Sequence, residues 1–372
     1  MSVLSVIPVL CQGEIGTGYL DHLRYLAYHL PTTWFTDLYS AVKFSNLLNL
    51  ETLNLQGQWE NNFIQLSADI FKMVKLRHLY STHGVFIYHV SSEEATRFGF
   101  DHSSKLDSLQ TLNRICPCEE CQSFLVRTPN LRKLGVHGEL ISQDGVLMLP
   151  DLEFLKCLET LRFTNTKFFS KSGATLPTGL KLPLNVTRLT LKHTYLQWKE
   201  LSILLTGLPS LEVLKLLVDS CCGPVWDTSE LEEGFPQLKY LRFESLDIEE
   251  WNASEDQFPG LEVLVLRSCQ KLERIPIDFA NLNELREITM NQCSPSLEES
   301  SREIQEELRN KKGDDDCLNL LLNNNTAQKT LSFTIDLPGI PSIDGICITL
   351  ASVQLVVDKM MQEHFNGYWE IT

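Results

Sequence analysis

The chain has 372 residues, with 32 basic against 48 acidic side chains, a formal charge of −16 and a hydrophobic fraction of 43%. That length buries a large core and, as a prior, suggests two or three domains. The acidic balance argues against generic binding to nucleic acid or to an anionic membrane, since both need a basic surface. No run approaches the ~18 apolar residues of a membrane-spanning helix.

The first ten residues, MSVLSVIPVL, are apolar but lack a basic start and a small-x-small cleavage site. They read as structure, not as a secretory signal. Eleven cysteines make an odd count with no scaffold-like spacing, so reduced thiols in a cytoplasmic protein are expected. The N-x-S/T sequons at Asn185, Asn252 and Asn324 are then chance matches, because an unexported chain meets no glycosylation machinery.

From residue 20 onward a pattern L-x-x-L-x-L recurs. Clear copies are Leu50-Leu53-Leu55, Leu131-Leu134-Val136, Leu158-Leu161-Phe163, Val186-Leu189-Leu191, Leu211-Leu214-Leu216, Leu238-Leu241-Phe243, Leu261-Leu264-Leu266 and Leu285-Ile288-Met290. Degenerate copies are Leu23-Leu26-Tyr28, Leu76-Leu79-Ser81 and Leu109-Leu112-Arg114. The central positions run from Leu26 to Ile288 at a mean step of about 26 residues, inside the ~20–29-residue leucine-rich-repeat period.

Prolines keep the same register. Pro129, Pro209, Pro236 and Pro259 stand two residues before the first apolar position, Pro183 stands three before it, and Lys156 fills the slot once. Proline fixes φ and donates no N–H, which suits the turn entering a short strand. Cys269 and Cys293 occupy the slot where a small side chain bonds the turn leaving the strand. Amphipathic helices would also place Leu at i and i+3. The period-2 L-x-L pair and the in-phase prolines oppose them.

The predicted fold is therefore an α/β leucine-rich-repeat solenoid. Its curved parallel β-sheet lies on the concave face and short helices and coil on the convex face. No unit buries its apolar face alone, so stacking supplies the core. Residues 20–294 hold about eleven repeats. Residues 1–19 form an amino-terminal edge or the remnant of a preceding repeat. They do not look like a polar cap, and an uncapped apolar edge suggests a chain cut from something larger. Residues 295–316 break the repeat. The capping box Ser296-x-x-Glu299 and the apolar face Leu297, Ile304, Leu308 predict a capping helix near 297–310, followed by an acidic linker. Residues 317–372 form a non-repeat tail of unknown fold.

The segments LPLNVTRLTLKHTYLQW (182–198), LPSLEVLKL (208–216), FPQLKYLRFESLDIEEW (235–251), FPGLEVLVLRSCQKLERIP (258–276) and CSPSLEESSREIQEEL (293–308) resemble the leucine-rich-repeat region of plant nucleotide-binding immune receptors. The match is nearest to the solanaceous late-blight-resistance type and covers roughly residues 20–310. In that family the repeats usually follow a coiled-coil domain and an NB-ARC nucleotide switch. The resemblance implies pathogen sensing and restraint of that switch in defence signalling. Its partners would be a pathogen effector, a guarded host protein or the NB-ARC domain. No G-x-x-x-x-G-K-[ST] occurs, and GATLPTGLK (173–181) has the wrong spacing to cradle phosphates, so ADP or ATP binding does not carry over. A substrate-recognition subunit of a ubiquitin ligase, the F-box type, is the alternative. It would need about forty helical residues before the repeats, and nineteen precede the first copy.

No catalytic grouping assembles from the sequence, and no enzyme, cofactor or resident metal is expected. Cys116-Pro-Cys-Glu-Glu-Cys121, with His102 and His137, is the one metal-like cluster. A reduced-cysteine loop is the simpler reading. Trp226 and Trp251 are expected to pack in inter-repeat loops, and Cys221-Cys222 to form a thiol pair on the convex side. The informative surface is the concave face. With the repeat leucines pointing inward, strand alternation turns Lys133, Arg162, Arg188, Lys192, Lys215, Tyr240, Arg242 and Arg267 outward, with His137 extending the row. The same positions carry only two acids, Glu244 and Glu287. Lysines and arginines are ordinary on a solvent-facing strand. Seven cations on one face of an acidic chain nevertheless suit an acidic protein surface.

Overall fold

The computed structural model describes residues 3–6, 22–29, 47–56, 63–66, 68–87, 104–167, 173–229, 231, 234–312 and 318–323. In chain order the strands begin with β1 (Val3–Val6), β2 (Tyr25–His29), β3 (Thr52–Gln56), β4 (Phe63–Leu66), β5 (His78–Ser81) and β6 (Gly84–Ile87). Next come β7 (Thr111–Ile115), β8 (Lys133–Gly138), β9 (Thr160–Asn165), β10 (Arg188–Lys192), β11 (Leu196–Gln197), β12 (Val213–Leu217) and β13 (Cys221–Cys222). The last are β14 (Val225–Asp227), β15 (Tyr240–Glu244), β16 (Glu250–Asn252), β17 (Val263–Arg267), β18 (Glu287–Asn291) and β19 (Asn319–Asn323). Three α-helices lie among the described residues: α1 (Glu119–Val126), α2 (Trp198–Thr206) and α3 (Pro295–Lys312).

One parallel ladder organises the chain, in the order β1-β2-β3-β5-β7-β8-β9-β10-β12-β15-β17-β18-β19. Every central residue of the repeat falls in one column, so that Leu161, Leu189, Leu214, Leu241, Leu264 and Ile288 are successive partners. All six are fully buried. Each such side chain contributes ~1.5–3 kcal/mol by leaving water, and only when its neighbours above and below are in place. The architecture is a leucine-rich-repeat solenoid.

The entry to each strand is a β-turn. The N–H of Leu131, Leu211, Leu238 and Leu261 donates to the carbonyl three residues back, at Thr128, Leu208, Phe235 and Phe258. That puts Pro129, Pro209, Pro236 and Pro259 at the second turn position, where a fixed φ near −65° belongs. At the exit, His193, Val218, Ser245, Ser268 and Gln292 hold positive φ one residue past their strands. On the opposite side from the sheet, Trp198, Trp226 and Trp251 stack through successive repeats, with ring centroids 5.1 and 5.7 Å apart. Trp226 and Trp251 therefore sit in the short paired strands β14 and β16, not in loops. Cys221 and Cys222 likewise form β13, paired with β11.

The ends and one middle repeat differ from the sequence expectation. β1 adds a strand one unit before the first copy, with Leu4 opposite Leu26. β19 adds another inside the segment read as a non-repeat tail, with Leu320 opposite Ile288. Helix α3 is thus the return segment between two ladder strands. Its cap is Ser294, whose Oγ accepts the Leu297 N–H at 3.3 Å, with Pro295 as first helical residue, where a missing N–H costs nothing. Leu297, Ile304 and Leu308 are its buried face. In β7 the third buried residue is Ile115, not Arg114, because one extra residue bulges between Leu112 and Ile115. The period-2 segment at 331–337 and the apolar stretch at 346–361 lie outside the described residues.

Candidate functional site

Strand alternation leaves three columns of side chains on the open face of the ladder. Lys133, Thr160, Arg188, Val213 and Tyr240 occupy the first. Gly135, Arg162, Thr190, Lys215 and Arg242 occupy the second. His137, Thr164, Lys192, Leu217, Glu244 and Arg267 occupy the third. All eight residues expected on the concave face thus share one surface. Neighbouring strands are ~4.8 Å apart and alternate residues along a strand ~6.6 Å apart, so the cations from β8 to β12 form one cluster.

Their environments are not equal. Arg242 is ion-paired with Glu244 two residues along its own strand, and both are mostly covered, with side chains 17% and 28% exposed. Its charge is largely spent inside the fold, which removes it from the basic group read off the sequence. Lys215 holds its ammonium 5.8 Å from the centre of the Tyr240 ring, within cation–π range. Lys133, Arg162, Arg188, Lys192 and Arg267 make no ion pair among the described residues.

The row just outside the first column behaves in the opposite way. Arg24 pairs with Glu51, Arg132 with Glu159 at 2.7 Å, Lys239 with Glu212 at 3.2 Å and Arg286 with Glu262 at 2.7 Å. Each pair joins adjacent ladder strands. The backbone carbonyls of Arg24, Glu51, Arg132, Glu159, Glu212, Lys239 and Glu262 each accept two N–H groups from the next repeat. From β8 to β18 the rim is therefore charge-neutral and fixed by backbone, while the face it borders is cationic; Arg77, in the same row before β5, makes no ion pair among the described residues.

Histidines add no charge to that face. Burial foremost, then Arg114, His83 and Lys192, pushes the His137 pKa down to about 3. Burial, with Arg77 and Lys133, also lowers His78, against a small opposing pull from Glu51. Sequence reasoning kept to charged residues and Tyr240. It missed Thr190, a largely covered residue in the centre of the cluster, and Arg114, which the β7 bulge adds beside Gly135. A tabulation of every outward position, neutral ones included, would have found Thr190.

No group of three or more His, Cys, Asp or Glu side chains among the described residues is arranged to hold a metal. Cys121 is buried in α1, and burial pushes its thiol pKa up to about 12. Cys116 and Cys118 are half-buried before the helix and form no disulfide among the described residues, and His102 lies outside the described residues. Among the described residues no helix is long and apolar enough to cross a membrane.

No family model matches the chain. It is 34% identical over 287 residues to the late blight resistance protein homolog R1B-13 of Solanum demissum, covering 76% of this chain and 24% of that protein. To R1B-16 of the same species it is 34% identical over 290 residues, covering 77% and 21%. To R1B-8 it is 35% identical over 294 residues, covering 77% and 23%. The chain spans between 21% and 24% of the length of these three relatives. Among solved structures, the leucine-rich-repeat protein LIC12759 of Leptospira interrogans aligns at 16% identity and a TM-score of 0.24, over 78% of this chain and 95% of that one. The in-register leucine ladder makes the chain a leucine-rich-repeat solenoid, and over 76–77% of its length its homologues are late blight resistance protein homologs of Solanum demissum.

Proposed function

We propose that the chain is a protein-binding and regulatory module of an intracellular plant immune receptor, acting by association and not by catalysis. The open face of the ladder would receive an acidic protein surface. That surface belongs to a pathogen effector, a guarded host protein or the NB-ARC switch domain that the repeats restrain. The observation that carries this reading is the contrast between rim and face. From β8 to β18 rim charges cancel in pairs from one repeat to the next, whereas five cations on the face make no ion pair among the described residues of a chain of charge −16. Uncompensated charge of one sign steers an oppositely charged partner and fixes its register. The sequence carries no phosphate-cradling glycine loop, so nucleotide chemistry is assigned to the partner domain and not to this chain.

The test is association with a co-expressed NB-ARC domain from a related receptor. Reversal of Arg162, Arg188 and Lys192 to Glu should leave the melting curve unchanged, because none of the three is ion-paired among the described residues. It should abolish a complex that weakens with added salt. Association that survives the reversal, or that ignores ionic strength, would remove the face from the mechanism. Arg242 is left out of this test, since its reversal would set a second carboxylate beside Glu244 and unsettle the fold.

A further inference from the structure

Thr190 stands at the centre of a cross of cations. Along its own strand, two residues away on the same face, are Arg188 and Lys192. Across the sheet, directly paired with it, are Arg162 on β9 and Lys215 on β12. All four arise within one strand spacing or one side-chain repeat of Thr190, ~4.8 and ~6.6 Å respectively. No acid occupies any outward position of these three strands. Thr160 and Thr164 flank Arg162 with two more hydroxyls.

Thr190 itself is 8% exposed, although it points to the solvent side of a sheet whose opposite face holds Leu189 and Leu191 at 0%. A short side chain is covered in that position only by its longer neighbours. Its hydroxyl makes no hydrogen bond among the described residues. The oxygen is not among the buried polar atoms that lack a partner, so solvent reaches it at the floor of the cross and a ligand oxygen can replace that solvent.

We propose that this cross binds a phosphate monoester, presented as phosphoserine or phosphothreonine on a protein partner. The proposal rests on the reading of the open face as a protein-binding surface and gives that surface its chemistry. A phosphomonoester carries about −1.5 to −2 charge and three strong acceptor oxygens in the volume of one small group. Two guanidinium forks, two ammonium groups and a hydroxyl match that demand, since arginine donates in pairs to phosphate oxygens and lysine acts as a point charge. A single carboxylate brings one charge and two oxygens and leaves most of the cross uncompensated. The acidic remainder of the chain repels a dianion, so the cross is where such a group is drawn.

The experiment titrates the full chain with a short Gly-Ser peptide carrying one phosphoserine, with the same peptide carrying Ser or Glu there, and with inorganic phosphate, at fixed ionic strength. The phosphopeptide should bind at least about tenfold more tightly than the Glu peptide, the difference a charge-assisted hydrogen-bond set supplies. Thr190→Val keeps shape and net charge while deleting the hydroxyl, and should weaken phosphopeptide binding about tenfold. Arg162→Gln with Arg188→Gln, both on exposed side chains, should weaken it about a hundredfold, and Arg267→Gln, outside the cross, should not. Equal binding of phospho- and Glu peptides, or wild-type binding by both the Thr190→Val and the double-Gln chains, overturns the proposal. Inorganic phosphate binding as tightly as the phosphopeptide overturns the assignment of the anion to a protein partner. If the phosphopeptide fails while charge reversal still abolishes salt-sensitive NB-ARC association, the anion site falls and the protein-binding face stands.

Discussion

A Cβ on Gly135 would lie 1.9 Å from the carbonyl oxygen of Asn113, so only glycine fits where β8 passes the bulge in β7. The close approach follows from register. Asn113 and Arg114 together oppose Gly135, because Leu112 pairs with Leu134 and Ile115 with Val136. Asn113 cannot retreat, since its side chain accepts the Ser81 N–H at 2.7 Å and donates to the Ser81 carbonyl at 3.1 Å. Gly135→Ala should therefore cost about 2 kcal/mol or more through forced backbone movement. Gly207→Ala, whose Cβ meets nothing closer than 3.3 Å, serves as the control. Urea unfolding of the two variants checks this, and equal midpoints would contradict the bulge geometry.

That bulge also marks how far the sequence could be read. The leucine period, the in-phase prolines and the outward cations were legible, because each depends on spacing alone. The extra residue in β7 was not: Leu109-Leu112-Arg114 satisfies the pattern by spacing, while pairing with β8 puts Ile115 in the core. β1 and β19 escaped for a related reason. Each is recognisable only by the strand it lies beside, and Leu4 or Leu320 alone has no period. The spending of Arg242 on Glu244 is a side-chain choice that alternation permits but does not dictate.

The ladder makes the core strongly position-dependent. Leu241 lies between Leu214 and Leu264 in the central column, and all three are fully buried. Leu241→Asp would bury a carboxylate with no partner, at several kcal/mol, and neighbouring repeats should unfold with it because each supplies the other's apolar contact. Circular dichroism and thermal melting should both show the loss. An unchanged melt in a soluble variant would contradict the stacking account.

His137 gives a pH dependence of definite sign. Its Nδ1 is buried without a partner, and burial with nearby Arg114, His83 and Lys192 holds its pKa near 3 in the folded chain. The unfolded chain takes up that proton near pH 6.5. Between those values the unfolded state binds more protons, so stability falls as pH drops below about 6.5, by up to ~1.4 kcal/mol per pH unit from this group. His137→Gln should flatten the slope between about pH 6.5 and 5, above the range where carboxylates dominate. Parallel slopes for the two chains would show that His137 titrates normally in the fold.

Arg132 and Lys133 are adjacent in sequence and should differ in function. Arg132 sits on the rim, 2.7 Å from Glu159, while Lys133 faces outward from β8 with no ion pair among the described residues. Removing both rim partners, Arg132→Gln with Glu159→Gln, leaves the net charge unchanged and deletes an exposed pair contributing ~0–1 kcal/mol. Lys133→Gln also alters one side chain beside the rim, but it subtracts a charge from the face itself. With polyglutamate as a generic acidic probe, the Lys133 variant should show a lower affinity and a shallower dependence on salt concentration. The rim double variant should bind as the parent does, since a screened neutral pair contributes little field at the distance of the face. If the two variants weaken binding equally, then charge anywhere near the sheet is sufficient, and the distinction between a neutral rim and a cationic face has no functional consequence.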